Sequence, residues 1–231
     1  MKKLKKTLLS RAFDPWSYPV VGFVLLVFLL LSCLYWQGQA AFLTASREQV
    51  FVDHAYWKLF TTSAIHADVR HYLGNSIFFF IFGFLLHSYF GVLWFPFLSL
   101  LLGGMVNYLT LALYPANSTL LGASGIVYLM AGAWATLFCF VDRRAHPLKR
   151  VVAAIGVSTM LFFPTQYEPE ISYLAHGLGF LVGVISASVY FLIFRTRIRQ
   201  AEVWQVDLEE DDTVEPLRSD SELSDIFYKL S

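Results

Sequence analysis

Charge is scarce in this chain: Asp, Glu, Lys and Arg make up only 15% of its 231 residues, while 57% are hydrophobic and 17% aromatic. So much apolar side chain exceeds what one water-soluble core can hide, which excludes a soluble single domain. Cysteine is nearly absent. Cys33 and Cys139 both sit inside apolar runs, arguing against a disulfide framework and against a Cys-based metal site. An excess of either charge sign is also lacking, since 17 Lys and Arg face 17 Asp and Glu. No nucleic-acid partner is therefore expected. Internal repeats of the kind that mark the two halves of a transporter are missing as well.

Long apolar stretches fill the chain instead. Crossing about 30 Å of hydrocarbon takes roughly 20 helical residues. Six stretches approach that length: Tyr18 to Trp36, Tyr72 to Phe90, Val92 to Leu113, Ser124 to Val141, Val151 to Tyr167 and Ile171 to Phe194. The fold expected is an all-α polytopic membrane protein, a six-helix bundle in a lipid bilayer. Lys and Arg concentrate on cytoplasmic flanks. Here Lys2, Lys3, Lys5, Lys6, Arg11, Arg143, Arg144, Lys149, Arg150, Arg195, Arg197 and Arg199 fall on one side, and only Arg47, Lys58 and Arg70 on the other. That split predicts an even number of spans in a cell membrane, with both termini cytoplasmic.

Three segments result: a basic N-terminus at 1–17, the bundle at 18–195 and an acidic tail at 196–231. From Ala201 onward the tail holds ten Asp or Glu, including Glu209 to Asp212, a composition that predicts disorder. Apolar residues return near Leu223 to Leu230, where a cytoplasmic partner could bind. Leu30-Leu31-Ser32-Cys33 superficially resembles a lipoprotein cleavage site, but Asp14 and Pro15 in a long leading region favour a retained first span.

Polar residues inside spans are costly unless they face protein or a watery cavity. Three groups stand out: His66-x4-His71-x3-Asn75 at the second span, Gly122-Ala123-Ser124-Gly125 at the start of the fourth, and Ala175-His176-Gly177-Leu178-Gly179 near the start of the sixth. At about 1.5 Å per residue, a helix from Val141 back to Ser124 covers roughly 27 Å. The same rise puts His176 about 9 Å below Glu170 and Asn75 about 7 Å below Arg70. All three groups converge on one layer toward the outer face. His54, His87 and His146 lie in links or at span ends, read as partnerless, and are given no role.

A serine becomes a useful nucleophile when a nearby base takes its proton, and His176 is a suitable base at the depth of Ser124. A helix N-terminus at Ser124 offers backbone N–H groups to a developing oxyanion, and His71 and Asn75, four residues apart, can add side-chain donors from one helix face. No carboxylate is placed behind His176, so a Ser-His dyad fits better than a triad. Tyr128, one turn after Ser124, is placed to pack its ring on His176.

Taken together, these three elements resemble the rhomboid intramembrane serine proteases from about residue 18 to 195. The resemblance rests on His66-x4-His71-x3-Asn75, on Gly122-Ala123-Ser124-Gly125 with Tyr128, and on Ala175-His176-x2-Gly179-x3-Gly183, in that order. It implies Ser124 as nucleophile, His176 as base, and an oxyanion hole of His71, Asn75 and the Ser124 backbone N–H. Gly122, Gly125, Tyr128 and His66 are implied in support, and Gly179 and Gly183 in close packing of the sixth helix on the fourth. One departure is visible in the long first link, where many rhomboids carry Trp-Arg and this chain has Trp57-Lys58. Lys lacks the planar fork of Arg, so a network built on that fork is expected to be rearranged.

The function expected is hydrolysis of a peptide bond in or beside a transmembrane segment of a client protein. The resemblance implies that the client helix unwinds at the outer leaflet and prefers a small residue before the cut. No metal or organic cofactor is indicated. A zinc protease would want His-Glu-x-x-His where this chain has His66-Ala-Asp-Val-Arg-His71, and an aspartyl protease needs two buried Asp where the spans hold none. The alternatives are an inactive rhomboid-like protein that binds membrane proteins, against which the intact Ser124 and His176 count, and a six-helix transporter or channel, against which the outward clustering of polar groups counts.

Overall fold

The computed structural model describes residues 2–115, 118–162 and 172–206. The chain enters through strand β1 (Lys2–Lys6) and a short turn into α1 (Ser17–Trp36), which is apolar on every side. The first link then folds into β2 (Ala45–Ser46), α2 (Arg47–Phe51) and α3 (Lys58–Thr61) before α4 (Val69–Phe90) begins. Gly91, at φ 76°, ends α4, and a kinked π-type turn over Leu93–Leu98 leads into α5 (Ser99–Leu113). Strand β3 (Thr119–Leu120), α6 (Ser124–Val141), α7 (Pro147–Phe162), α8 (Tyr173–Arg199) and β4 (Val203–Val206) complete the order.

Among the described residues, five stretches have the length and hydropathy to cross a membrane: α1, α4, Leu93–Leu113, α6 and α8. The fifth predicted span falls on α7, whose 16 described residues cover about 24 Å; its expected end near Tyr167 lies outside the described residues. A ladder supplies the missing count. β1 pairs antiparallel with β4, Lys3 opposite Gln205 and Leu4 opposite Trp204, so both ends of the bundle lie on one side. That requires an even number of crossings, and α7 is the helix that makes it even.

α6 is the central helix. It is the most buried of the spans and packs most extensively on α8. The reason is glycine. A Cβ on Gly179 would collide with the Gly125 carbonyl, one on Gly183 with the Leu129 carbonyl, and one on Gly132 with the Phe180 carbonyl, so the two backbones touch. Without side chains in the seam, van der Waals contact replaces the hydrophobic effect that lipid cannot supply. Phe79, Trp94, Phe95, Leu129, Met130 and Leu137 fill the rest of the core.

Three expectations need correction. The tail does not start at 196: α8 runs on to Arg199 and β4 follows, while 207–231 lie outside the described residues. His66 precedes the second span, which begins at Val69. The three set-aside histidines have partners: His87 Nδ1 is 3.0 Å from Ser17 Oγ at the buried base of α1, His54 Nδ1 is 3.2 Å from Tyr56 Oη, and His146 Nδ1 accepts from the Leu148 N–H. The expectation failed because Ser17 lies 70 positions away on α1, while the Tyr56 hydroxyl and the Leu148 N–H are groups two residues on whose contact spacing alone does not reveal.

Candidate functional site

The starts of α4, α6 and α8 share the end of the bundle opposite the β1–β4 ladder. Each start is set by local chemistry. Asp68 caps α4 by accepting from the His71 N–H at 2.8 Å, which puts His71 and Asn75 on successive turns. Ser172 caps α8 by accepting from the Ala175 N–H at 3.1 Å, and the Tyr114 hydroxyl meets the Ser172 hydroxyl, tying the end of α5 to this cap. With α8 starting at Tyr173, His176 lies in the first turn, shallower than a helix from Glu170 would place it.

The turn before α6 is held from three sides. Gly122 adopts φ +106°, a conformation open to glycine, and donates its N–H to the Thr62 carbonyl at 2.9 Å. Thr62 also accepts from the Ala45 N–H and donates to the Leu120 carbonyl, while β2 and β3 pair alongside. The next N–H, that of Ala123, donates to His66 Nε2 at 3.3 Å. His66 Nδ1 bonds Ser32 Oγ at 3.2 Å, and the Trp36 indole donates to the His66 carbonyl. A nitrogen that accepts from an amide carries no proton, so the ring is the Nδ1–H tautomer, and both nitrogens are engaged. Burial, then the nearby His71, hold the His66 imidazole down at about 3, with Asp68 opposing weakly.

Ser124 is the first residue of α6, half-buried, with the orphan N–H groups of a helix start around it. His71 and Asn75 approach that start from α4. A Cβ placed on Gly122 would lie 2.8 Å from His71 Cε1, 3.0 Å from His71 Nε2 and 3.8 Å from Asn75 Nδ2. The Asn75 amide nitrogen is buried and has no hydrogen-bond partner among the described residues. From the other side, His176 stacks on the Tyr128 ring at 4.0 Å between centroids and 14° between planes. Gly125 and Gly179 meet in the seam beside them, next in sequence to Ser124 and one turn from His176. Ser124 and His176 thus flank the Gly125–Gly179 contact of the α6–α8 seam, with no hydrogen bond between them.

The Rhomboid domain family model matches residues 53–193, more than half of the chain, an interval containing every residue just described from α4, α6 and α8. The chain belongs to the rhomboid family. No curated protein matches it as an individual relative. The family is generally one of intramembrane serine proteases.

In this rhomboid the Trp57-Lys58 departure is accommodated. Lys58 is buried, with its Nζ donating to the Phe42 carbonyl at 2.7 Å and the Thr44 carbonyl at 3.2 Å, and it lies 5.3 Å from the Trp57 ring centroid. The ammonium pins the first link by two point contacts in place of a fork. Sequence reasoning missed Thr62, Ser172 and Asn107, whose buried amide donates to the Leu59 carbonyl and to Ser63 Oγ. Ser172 alone had a legible signal, a capping residue just ahead of an apolar run.

Proposed function

We propose that this rhomboid hydrolyses peptide bonds in or beside transmembrane segments of client membrane proteins, using Ser124 as nucleophile and His176 as base. The observation that carries the reading is the Asn75 amide: a buried donor left without an acceptor, beside a helix N-terminus, where an oxyanion would supply the acceptor. In the first step the Ser124 Oγ bonds to the scissile carbonyl carbon and its proton passes to His176. Negative charge develops on the carbonyl oxygen among the Asn75 amide, His71 and the α6 N–H groups. Collapse breaks the C–N bond as His176 protonates the leaving amine, and water then releases the acyl group by the reverse order of proton transfers. The Tyr128 ring holds the imidazole flat where a triad would use a carboxylate.

The excess of Lys and Arg at the ladder end supports a cytoplasmic ladder and a Ser124 layer in the outer leaflet. A client helix must unwind there to present a carbonyl, most readily at a small residue. The reading is tested with purified protein in proteoliposomes and a generic transmembrane substrate. Wild type should cleave it and label with a fluorophosphonate. Ser124→Ala and His176→Ala should each abolish cleavage, and the double variant should be no worse than either, since the two act as one unit. Cleavage by Ser124→Ala, or none by folded wild type, removes the protease reading and leaves a membrane-protein-binding relative.

A further inference from the structure

At the end of the bundle opposite Ser124, α6, α7 and α8 border an open cavity of about 320 Å³ that the protease reading does not use. Three guanidinium groups line it: Arg143 just past α6, Arg150 in the first turn of α7 and Arg199 at the end of α8. Its other wall is apolar, formed by Phe140, Val151 and Phe191. We propose that this cavity binds one anionic phospholipid of the surrounding bilayer, its phosphate held by the three arginines and its acyl chains lying along Phe140 and α7.

Counting the neighbouring charges supports an anion. Asp142 is taken by Arg144, with 2.7 Å between Oδ1 and Nε, so it does not neutralise the cavity. Glu202 pairs with Arg143 at 3.2 Å and cancels one of the three cations. Among the described residues two positive charges remain, more than enough to hold the single negative charge of a phosphodiester. Arg150 spends one nitrogen on the Cys139 carbonyl, while its Nε is buried with no partner, a donor awaiting an acceptor. Arg199 rests over the Phe191 ring at 6.0 Å and has no ion pair among the described residues. Basic pockets between helices on the cytoplasmic side are where lipid headgroups dock.

Free phosphate would satisfy the arginines equally well, but not the rest of the site. Phe140 and Val151 are 39% and 45% exposed and continue into Leu148, Val152 and Ile155, all more than half exposed along the outward face of α7. A soluble ion leaves that surface unused. A phospholipid, with its phosphate at the hydrocarbon boundary, covers both walls at once.

The test uses the full chain in nanodiscs of phosphatidylcholine with and without phosphatidylglycerol, followed by native mass spectrometry and by melting temperature. Wild type should retain one phosphatidylglycerol through detergent exchange and melt higher in its presence. Arg143→Gln with Arg199→Gln should lower retention by about tenfold or more, as expected for loss of charge-assisted hydrogen bonds. Lys3→Gln with Lys5→Gln, on β1 and away from the cavity, should change nothing. Glu202→Gln removes the competing carboxylate and should strengthen retention, which keeps the proposal testable if the arginine double variant does not fold. Equal retention of the zwitterionic lipid, unchanged retention in the arginine variant, loss in the β1 variant, weaker or unchanged retention in Glu202→Gln, or displacement by millimolar inorganic phosphate would each overturn it.

Discussion

At Asn75 the side chain gives up something a folded protein normally keeps. A buried amide donor without a partner costs on the order of 1–3 kcal/mol. Asn75→Ala should therefore fold at least as stably as wild type yet turn over on the order of 10²-fold more slowly, while Ser124 still reacts with a small fluorophosphonate. Equal turnover at equal expression would reduce Asn75 to packing. His66 yields a pH prediction. Its imidazole stays neutral in the fold down to about 3, whereas the unfolded chain takes up a proton near the ordinary value of 6.5. Stability from this residue is complete above 6.5 and falls as pH drops toward 3, because the unfolded state then binds more protons. Melting scans from pH 7 to 4 should show a larger drop for wild type than for His66→Gln, whose amide does not titrate. The family was legible in the three motifs, because each keeps a fixed spacing over a short stretch of chain. Thr62, Lys58 and His87 were not, because the groups they bond lie 14 to 70 positions away.

Among the helices, the α6–α8 pair carries the site, and its glycines differ sharply in what they tolerate. Gly179→Leu must push the α6 backbone aside at Gly125, next to Ser124, so cleavage should be lost and resistance to SDS unfolding should fall by several kcal/mol. Gly177, two positions earlier, has open space where a Cβ would sit, and Gly177→Ala should leave both measurements within about 0.5 kcal/mol of wild type. Similar effects from both substitutions would mean that helix propensity, not close approach, sets the outcome. The start of α6 at Ser124 and the end at Val141 were legible, since glycines and then Asp142 bound one apolar run. α7 begins at Pro147, four residues before the expected Val151, because proline suits the first helical turn and needs no apolar neighbour. The first link was read as one undivided stretch. α2, α3 and β2 are too short for periodicity to register and are held by distant groups, such as Arg47 on the Ala112 and Tyr114 carbonyls.

For the whole molecule, the number of crossings is the claim most open to direct measurement. Lys3 and Gln205 face each other in the β1–β4 ladder, close enough for a disulfide once both are cysteine. With Cys33 and Cys139 replaced by alanine, Lys3→Cys with Gln205→Cys should cross-link on mild oxidation, and a membrane-impermeant thiol reagent should reach neither cysteine from outside intact cells. Failure to cross-link would remove the even count; labelling from outside would invert the orientation. The basic flanks already pointed to six spans, but the ladder itself was illegible, because β1 reads as a lysine cluster and β4 as the start of an acidic tail.

The same ladder also orders events in time. Lys2 pairs with Val206, so the first strand to leave the ribosome has no partner until the last helix has been made. At roughly 5–20 residues per second, the N-terminus waits on the order of ten seconds or more. During that interval the β1 backbone has no ladder partner and only Leu4, the buried residue of the strand, waits for cover. Closure of this small ribbon therefore reports that α8 has been made, and a chain lacking that helix leaves β1 without its ladder partner.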